Sequence, residues 1–153
     1  MKKFVAVLLA VMLCLSFAAC GGEKATDKTV DAAAMFKTLL TDVTYTDNAT
    51  ELDSSMAGVL LGGELPDGTE AYLAANDSAY LRCAVFACKD KDAAAAVKKL
   101  IQTYIDDSID AKYNVDEVAL LQNAKIHSMG NYVAVAVTSD TDNVNKVIDQ
   151  YFA

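Results

Sequence analysis

The 153 residues contain no tryptophan, and proline, histidine and arginine occur once each, as Pro66, His127 and Arg82. A lone histidine leaves no His-rich metal set, and no H-E-x-x-H, G-x-S-x-G or phosphate-binding P-loop occurs anywhere. Positive charge is scarce too, with 13 Lys and Arg against 21 Asp and Glu and a net charge of −8. No stretch clusters Lys or Arg. Phosphate backbones and anionic headgroups need cationic contacts, so nucleic acid and direct lipid-surface binding are excluded as expected partners. Nothing after the first twenty residues is both long and apolar enough to span a bilayer. No internal repeat or low-complexity segment is present.

What is there begins with an export signal. Lys2 and Lys3 form a positive start, Phe4 to Phe17 an apolar stretch, and small Ala18 and Ala19 precede Cys20-Gly21-Gly22. Fourteen residues rise only about 21 Å as a helix, short of the roughly 30 Å hydrocarbon core. The stretch resembles a bacterial lipobox, with Phe17 where that motif usually has Leu. The expected partition is a lipoprotein signal peptide over 1–19, a polar tether over 20–28 and one α+β domain over 29–153. Cys20 is the expected lipidation site and the membrane the expected partner, through an acyl anchor. A diacylglycerol plus an amide-linked chain meets the two-chain requirement for stable anchoring. Removing 19 residues leaves 134, enough for one domain, and losing Lys2 and Lys3 takes the net charge to −10.

Four cysteines occur. Cys14 leaves with the leader, and Cys20 is accounted for. Cys83 and Cys88 are five apart in Ala79–Cys88, where opposite strand parity places them on opposite faces about 16 Å apart. A disulfide needs Cα atoms within about 7 Å, so both are expected as free, buried thiols. C-x₄-C is not a zinc spacing.

In order, Thr29–Val43 is expected to be a helix capped by Thr29, with Ala33, Phe36, Leu40 and Val43 on its apolar face. Thr44–Asn48 is a loop, with Leu52 as an anchor, and Met56–Leu61 is an apolar run broken by Gly62-Gly63 and Leu65-Pro66-Asp67-Gly68. Glu70–Ala75 is compatible with a strand or a short helix. Ala79–Cys88 is apolar on both faces and predicts a central strand covered on both sides. Asp90 or Asp92 caps a helix running to about Lys112, with Val97, Leu100, Ile101, Tyr104, Ile105 and Ile109 in one stripe. A short helix is expected around Asp116–Leu121. Lys125–Asp140 predicts a hairpin turning at Gly130-Asn131, with Gly130 at positive φ. Ser139 or Thr141 then caps a final amphipathic helix through Val144, Val147, Ile148 and Tyr151-Phe152. The architecture expected is one α+β domain, a mostly antiparallel sheet with helices packed on it.

Ser78-Ala79-Tyr80-Leu81, Val85-Phe86 with Lys89-Asp90, Tyr113 with Glu117, Gly130-Asn131-Tyr132-Val133, Val137-Thr138-Ser139-Asp140 and terminal Tyr151-Phe152 recur here in a recognisable order. In these features most of residues 29–153 resembles the small bacterial lipoproteins of the domain-of-unknown-function family DUF4358. The resemblance implies a lipid-anchored extracytoplasmic α+β domain and carries over no catalytic or binding residue.

No residue is therefore expected to serve catalysis, a cofactor or a metal. His127 is expected at a surface or rim, with Ser128 facing the other side of the strand. Cys83 with His127 would make a nucleophile and base only on neighbouring strands. Asp106, Asp107 and Asp110, with Asp116 and Glu117 just beyond, lack the alternation and glycine of a calcium loop and read as a solvated face. A non-enzymatic envelope module binding a protein or small ligand is the expected function, with an envelope hydrolase of scattered site as the alternative. A cleft joining His127 to Cys83 or to acidic residues favours the hydrolase; a flat surface with one exposed apolar patch favours the module.

Overall fold

A computed structural model describes residues 28–111 and 114–153. The leader, Cys14, Cys20, the tether up to residue 27, Lys112 and Tyr113 lie outside the described residues. Helix α1 (Ala32–Asp42) is followed by strand β1 (Thr50–Leu52), helix α2 (Met56–Leu61), and strands β2 (Glu70–Ala75) and β3 (Leu81–Ala87). Helices α3 (Lys91–Asp110) and α4 (Val115–Asn123), strands β4 (Lys125–Met129) and β5 (Tyr132–Ala136), and helix α5 (Thr141–Phe152) complete the order. The strands make one sheet, β1-β2-β3-β5-β4, in which every neighbouring pair is antiparallel. This is the α+β architecture expected.

β3 is central and apolar on both sides, so each face of the sheet requires a cover. On one face Leu73, Ala84, Phe86, Val133 and Val135 pack under Val97, Ile101 and Ile105 of α3, with α2 and α4 beside it. On the other, Val85, Ala134 and Ala136 pack under Met35, Phe36 and Leu39 of α1 and Val144, Val147 and Ile148 of α5. Three layers result, helix–sheet–helix. Each fully buried large side chain stabilises the fold by roughly 1.5–3 kcal/mol.

Local chemistry corrects several expected boundaries. Thr29 does not cap α1; Asp31 does, accepting the Ala34 N–H at 2.9 Å. Val30 before the cap and Met35 in the second turn share one core cluster, the arrangement of a hydrophobic staple, and this sets the entry point. The buried face is accordingly Ala32, Met35, Phe36 and Leu39 rather than Ala33 and Leu40. Asp90, not Asp92, caps α3 through the Ala93 N–H at 2.8 Å. Neither Ser139 nor Thr141 caps α5. Asp140 holds that position, but its carboxylate accepts the Thr44 N–H at 2.9 Å and an Asn143 amide N–H, tying α5 to the loop after α1. Met56–Leu61 is a helix that stops at Gly62, whose φ of 72° is left-handed. β1 forms in a stretch with no strand pattern, by pairing with the edge of β2. Glu70–Ala75 is a strand.

The expected strand from Ala79 starts two residues late, because Ala79 sits at φ 62°. The Asn76 carboxamide oxygen accepts from both Ser78 N–H and Tyr80 N–H, closing the β2–β3 turn around that residue. The other hairpin turns as expected, with Gly130 at φ 58°. Ala79 is the only non-glycine residue at positive φ among those described, so Asn131 has negative φ and the turn is type II′. The two positions predict opposite signs. Exposed Ala79 carries a left-handed cost that glycine lacks, so Ala79→Gly should stabilise the domain by about 0.5–1 kcal/mol. Gly130→Val should destabilise it by about 1–3 kcal/mol. Thermal denaturation of the pair checks both; the same sign for both changes would refute the turn geometry.

Pairing across β2 and β3 slips between Ala74↔Cys83 and Ala75↔Leu81, which leaves Arg82 as the extra residue of a β-bulge. The slip reverses alternation. Leu81 joins the Ala84–Phe86 face, while Cys83 and Val85 occupy the other. Cys83 and Cys88 lie beyond the bulge and keep opposite parity: both are free and buried, one under each helical layer.

Candidate functional site

The bulge aims the only arginine into the protein. Arg82 is 1% exposed, and a buried guanidinium must find acceptors for five N–H groups. It finds all five. Nε–H and Nη2–H donate to the two carboxylate oxygens of Asp47 at 2.6 and 2.9 Å. Nη1–H and Nη2–H donate to the two of Glu117 at 2.9 and 2.8 Å, and the second Nη1–H reaches the Leu81 carbonyl at 3.1 Å. Asp47 also accepts an Asn76 amide N–H at 2.7 Å, and the Tyr104 hydroxyl accepts the Leu81 N–H at 3.1 Å.

Five segments therefore meet at one end of the sheet: the loop after α1, the β2–β3 turn, β3, α3 and α4. Burial alone would depress the Arg82 pKa, but the hydrogen bonds it donates to Asp47 and Glu117 outweigh it and hold the group charged. The same guanidinium holds the Asp47 carboxyl below its ordinary value. With every donor engaged, the guanidinium has none left to offer a ligand. Chemically the arrangement is a clamp.

Sequence reasoning placed Glu117 on a solvated acidic face, and here it is corrected: Glu117 is 7% exposed and turned onto Arg82. Asp106, Asp107, Asp110 and Asp116 stay exposed, with Asp106 accepting from Gln102 one turn back. Nothing in the local sequence marks Asp47, or Asn76 in its turn, as a partner in this cluster. The available signal was Arg82 itself, a lone charge within the most apolar strand, which can be buried only beside carboxylates.

The other singled-out residues do not converge. Cys83 shares a row with Ala136 and Lys125, and His127 shares one with Ala134 and Val85. β5 separates the two strands, so their Cα atoms are about 12 Å apart, two strand spacings across and two residues along. Burial pushes the Cys83 thiol up to about 11, only partly countered by the Tyr45 hydroxyl. Burial likewise raises Cys88. His127 is half-buried, and its Nε2 is enclosed with no hydrogen-bond partner among the described residues. Burial and then Lys125 lower its pKa, while Asp149 opposes them. The folded state thus binds this proton less readily than the unfolded chain. Stability present above pH about 6.5 should fall as pH drops below that value. Melting curves between pH 7 and 5 check this: the slope should flatten in His127→Leu, and an equal slope in both proteins would contradict it. Carboxylate losses from Asp47 and Asp140 belong to a lower window, below their ordinary value of 3.8.

Among the described residues, three surface clefts have linings that include neither Cys83 nor His127. One, between α2 and α3, is bordered by Val59, which is 73% exposed. Residues 66–138 match the family model described as a domain of unknown function, DUF4358. Searches of curated proteins and of solved structures each found no significant match. The DUF4358 match is shorter than the 29–153 span of the resemblance. It includes Arg82 and Glu117 but not Asp47, and it leaves out α1 and α5, which cover one whole face of the sheet.

Proposed function

We propose that this DUF4358 protein is a lipid-anchored extracytoplasmic module that binds an envelope protein or small ligand and catalyses no reaction. The observation that carries the anchor is Ala18-Ala19-Cys20 behind a short apolar leader. The tether after Cys20 has eight residues to Lys28, a reach of at most about 28 Å, which keeps the domain beside the bilayer. Two acyl chains at Cys20 supply the membrane affinity. Among the described residues no helix is long and apolar enough to cross a membrane.

Support for a binding role comes from where the reactive groups go. Arg82 and Glu117 hold one another, Cys83 is a buried thiol of raised pKa, and β5 separates it from His127. A hydrolase needs a base within hydrogen-bond reach of its nucleophile or substrate. Detergent-phase partitioning of cells expressing the full chain and its Cys20→Ser variant tests the reading. The wild type should enter the detergent phase almost entirely and the variant the aqueous phase. Equal partitioning of the two would end the proposal.

A further inference from the structure

Four of the thirteen basic residues fall within residues 89–99, as Lys89, Lys91, Lys98 and Lys99. In the sequence Asp90 and Asp92 dilute them. The α3 helix sorts them. Lys91, Ala94, Ala95 and Lys98 recur at the i, i+3, i+4, i+7 spacing of one helical stripe. That stripe faces Ser128 and Gly130 of the β4–β5 hairpin across a cleft of about 160 Å³. Asp90 is engaged elsewhere, its carboxylate accepting the Ala93 N–H, and Asp92 lies about 100° round the helix from Lys91.

The two alanines make the hollow and a lysine stands at each end of it, about 10 Å apart along the axis. Among the described residues neither ammonium forms a salt bridge or hydrogen bond, and the Ser128 hydroxyl has no hydrogen-bond partner. No lysine among the described residues forms a salt bridge with a carboxylate; what distinguishes these two is that both line one cleft.

We propose that this cleft binds a phosphate group, held between Lys91 and Lys98 with the Ser128 hydroxyl donating a hydrogen bond. Lysine presents a compact point charge suited to phosphate, whereas a planar carboxylate is matched better by the arginine fork. The volume is below the roughly 300 Å³ at which sites for drug-sized ligands begin. It suits one phosphate, free or at the end of a larger ester. The inference deepens the binding-module reading and rests on it.

The test is an amide NMR titration of the detergent-solubilised full chain at constant ionic strength. Inorganic phosphate, glycerol phosphate and acetate are the probes. Saturable shifts centred on Ala94, Ala95, Ser128 and Gly130 are expected for phosphate or glycerol phosphate, with Kd of about 1 mM or tighter. Tighter binding of glycerol phosphate assigns an ester, and tighter binding of inorganic phosphate assigns the free ion. Lys91→Gln with Lys98→Gln should weaken binding at least about tenfold with an unchanged Tm, both side chains being exposed. Lys91→Arg with Lys98→Arg should retain it. Absence of saturation, equal affinity in the glutamine variant, or acetate matching phosphate would overturn the site. A sample that ignores phosphate yet still partitions into detergent through Cys20 defeats this inference and leaves the anchored module standing.

Discussion

Arg82→Met should destabilise the domain by about 3–5 kcal/mol, lowering Tm by roughly 10–20 °C. The loss arises less from the removed contacts than from what they leave behind. Glu117, 7% exposed, would be a buried carboxylate without a counter-charge, and the Leu81 carbonyl would lose a donor. Asp47 suffers less, because its side chain is 39% exposed and water can replace the guanidinium. The same reasoning predicts a rescue. Changing Glu117→Met together with Arg82→Met removes the orphaned charge, and such apolar replacements of buried pairs are often neutral or stabilising. The double variant should therefore be more stable than Arg82→Met alone. Denaturant titration of the four proteins in that cycle gives the coupling directly. A single change costing under about 1 kcal/mol, or a double variant whose losses simply add, would show that no clamp exists there.

The second large effect concerns the thiols. In the folded protein Cys83 and Cys88 should react with a thiol reagent at pH 7.5 at least about a hundred times more slowly than after denaturation. Only the thiolate reacts; Cys83, raised to about 11, supplies few thiolates at that pH, Cys88 is raised by burial as well, and both are closed off from the reagent. Unfolding returns both groups to about 8.5. Their positions under opposite helical layers forbid a bond within one chain. Intact mass of the oxidised, folded protein should therefore show both thiols free. Rapid labelling of Cys83 alone would restore it as a nucleophile, and a loss of two mass units would contradict the sheet.

Much of this fold was legible because local chemistry and tertiary placement agree. Leu81–Ala87 is apolar on both sides and is the middle strand. Val97, Ile101 and Ile105 recur at helical spacing and face the sheet. Gly130 supplies the positive φ that its turn requires. What escaped was non-local. The bulge falls at Arg82, the one charge in an otherwise apolar run, and the slip itself leaves no pattern, since alternation cannot be seen to shift where both faces are buried. β1, three residues at a sheet edge, exists only through its pairing with β2. Asp47 and Glu117 each lie 35 residues from Arg82, so no spacing motif could join them. Read alone, Glu117 is one more acid in an acidic stretch; folding turns it inward.

The anchor underlies the whole functional account, and one measurement reaches it directly: the mass of the mature N-terminal peptide from the membrane fraction. The account predicts a peptide beginning at Cys20, carrying a thioether-linked diacylglycerol and an amide-linked acyl chain, with none recovered from the culture medium. An unmodified, cleaved N-terminus found in the medium would contradict it.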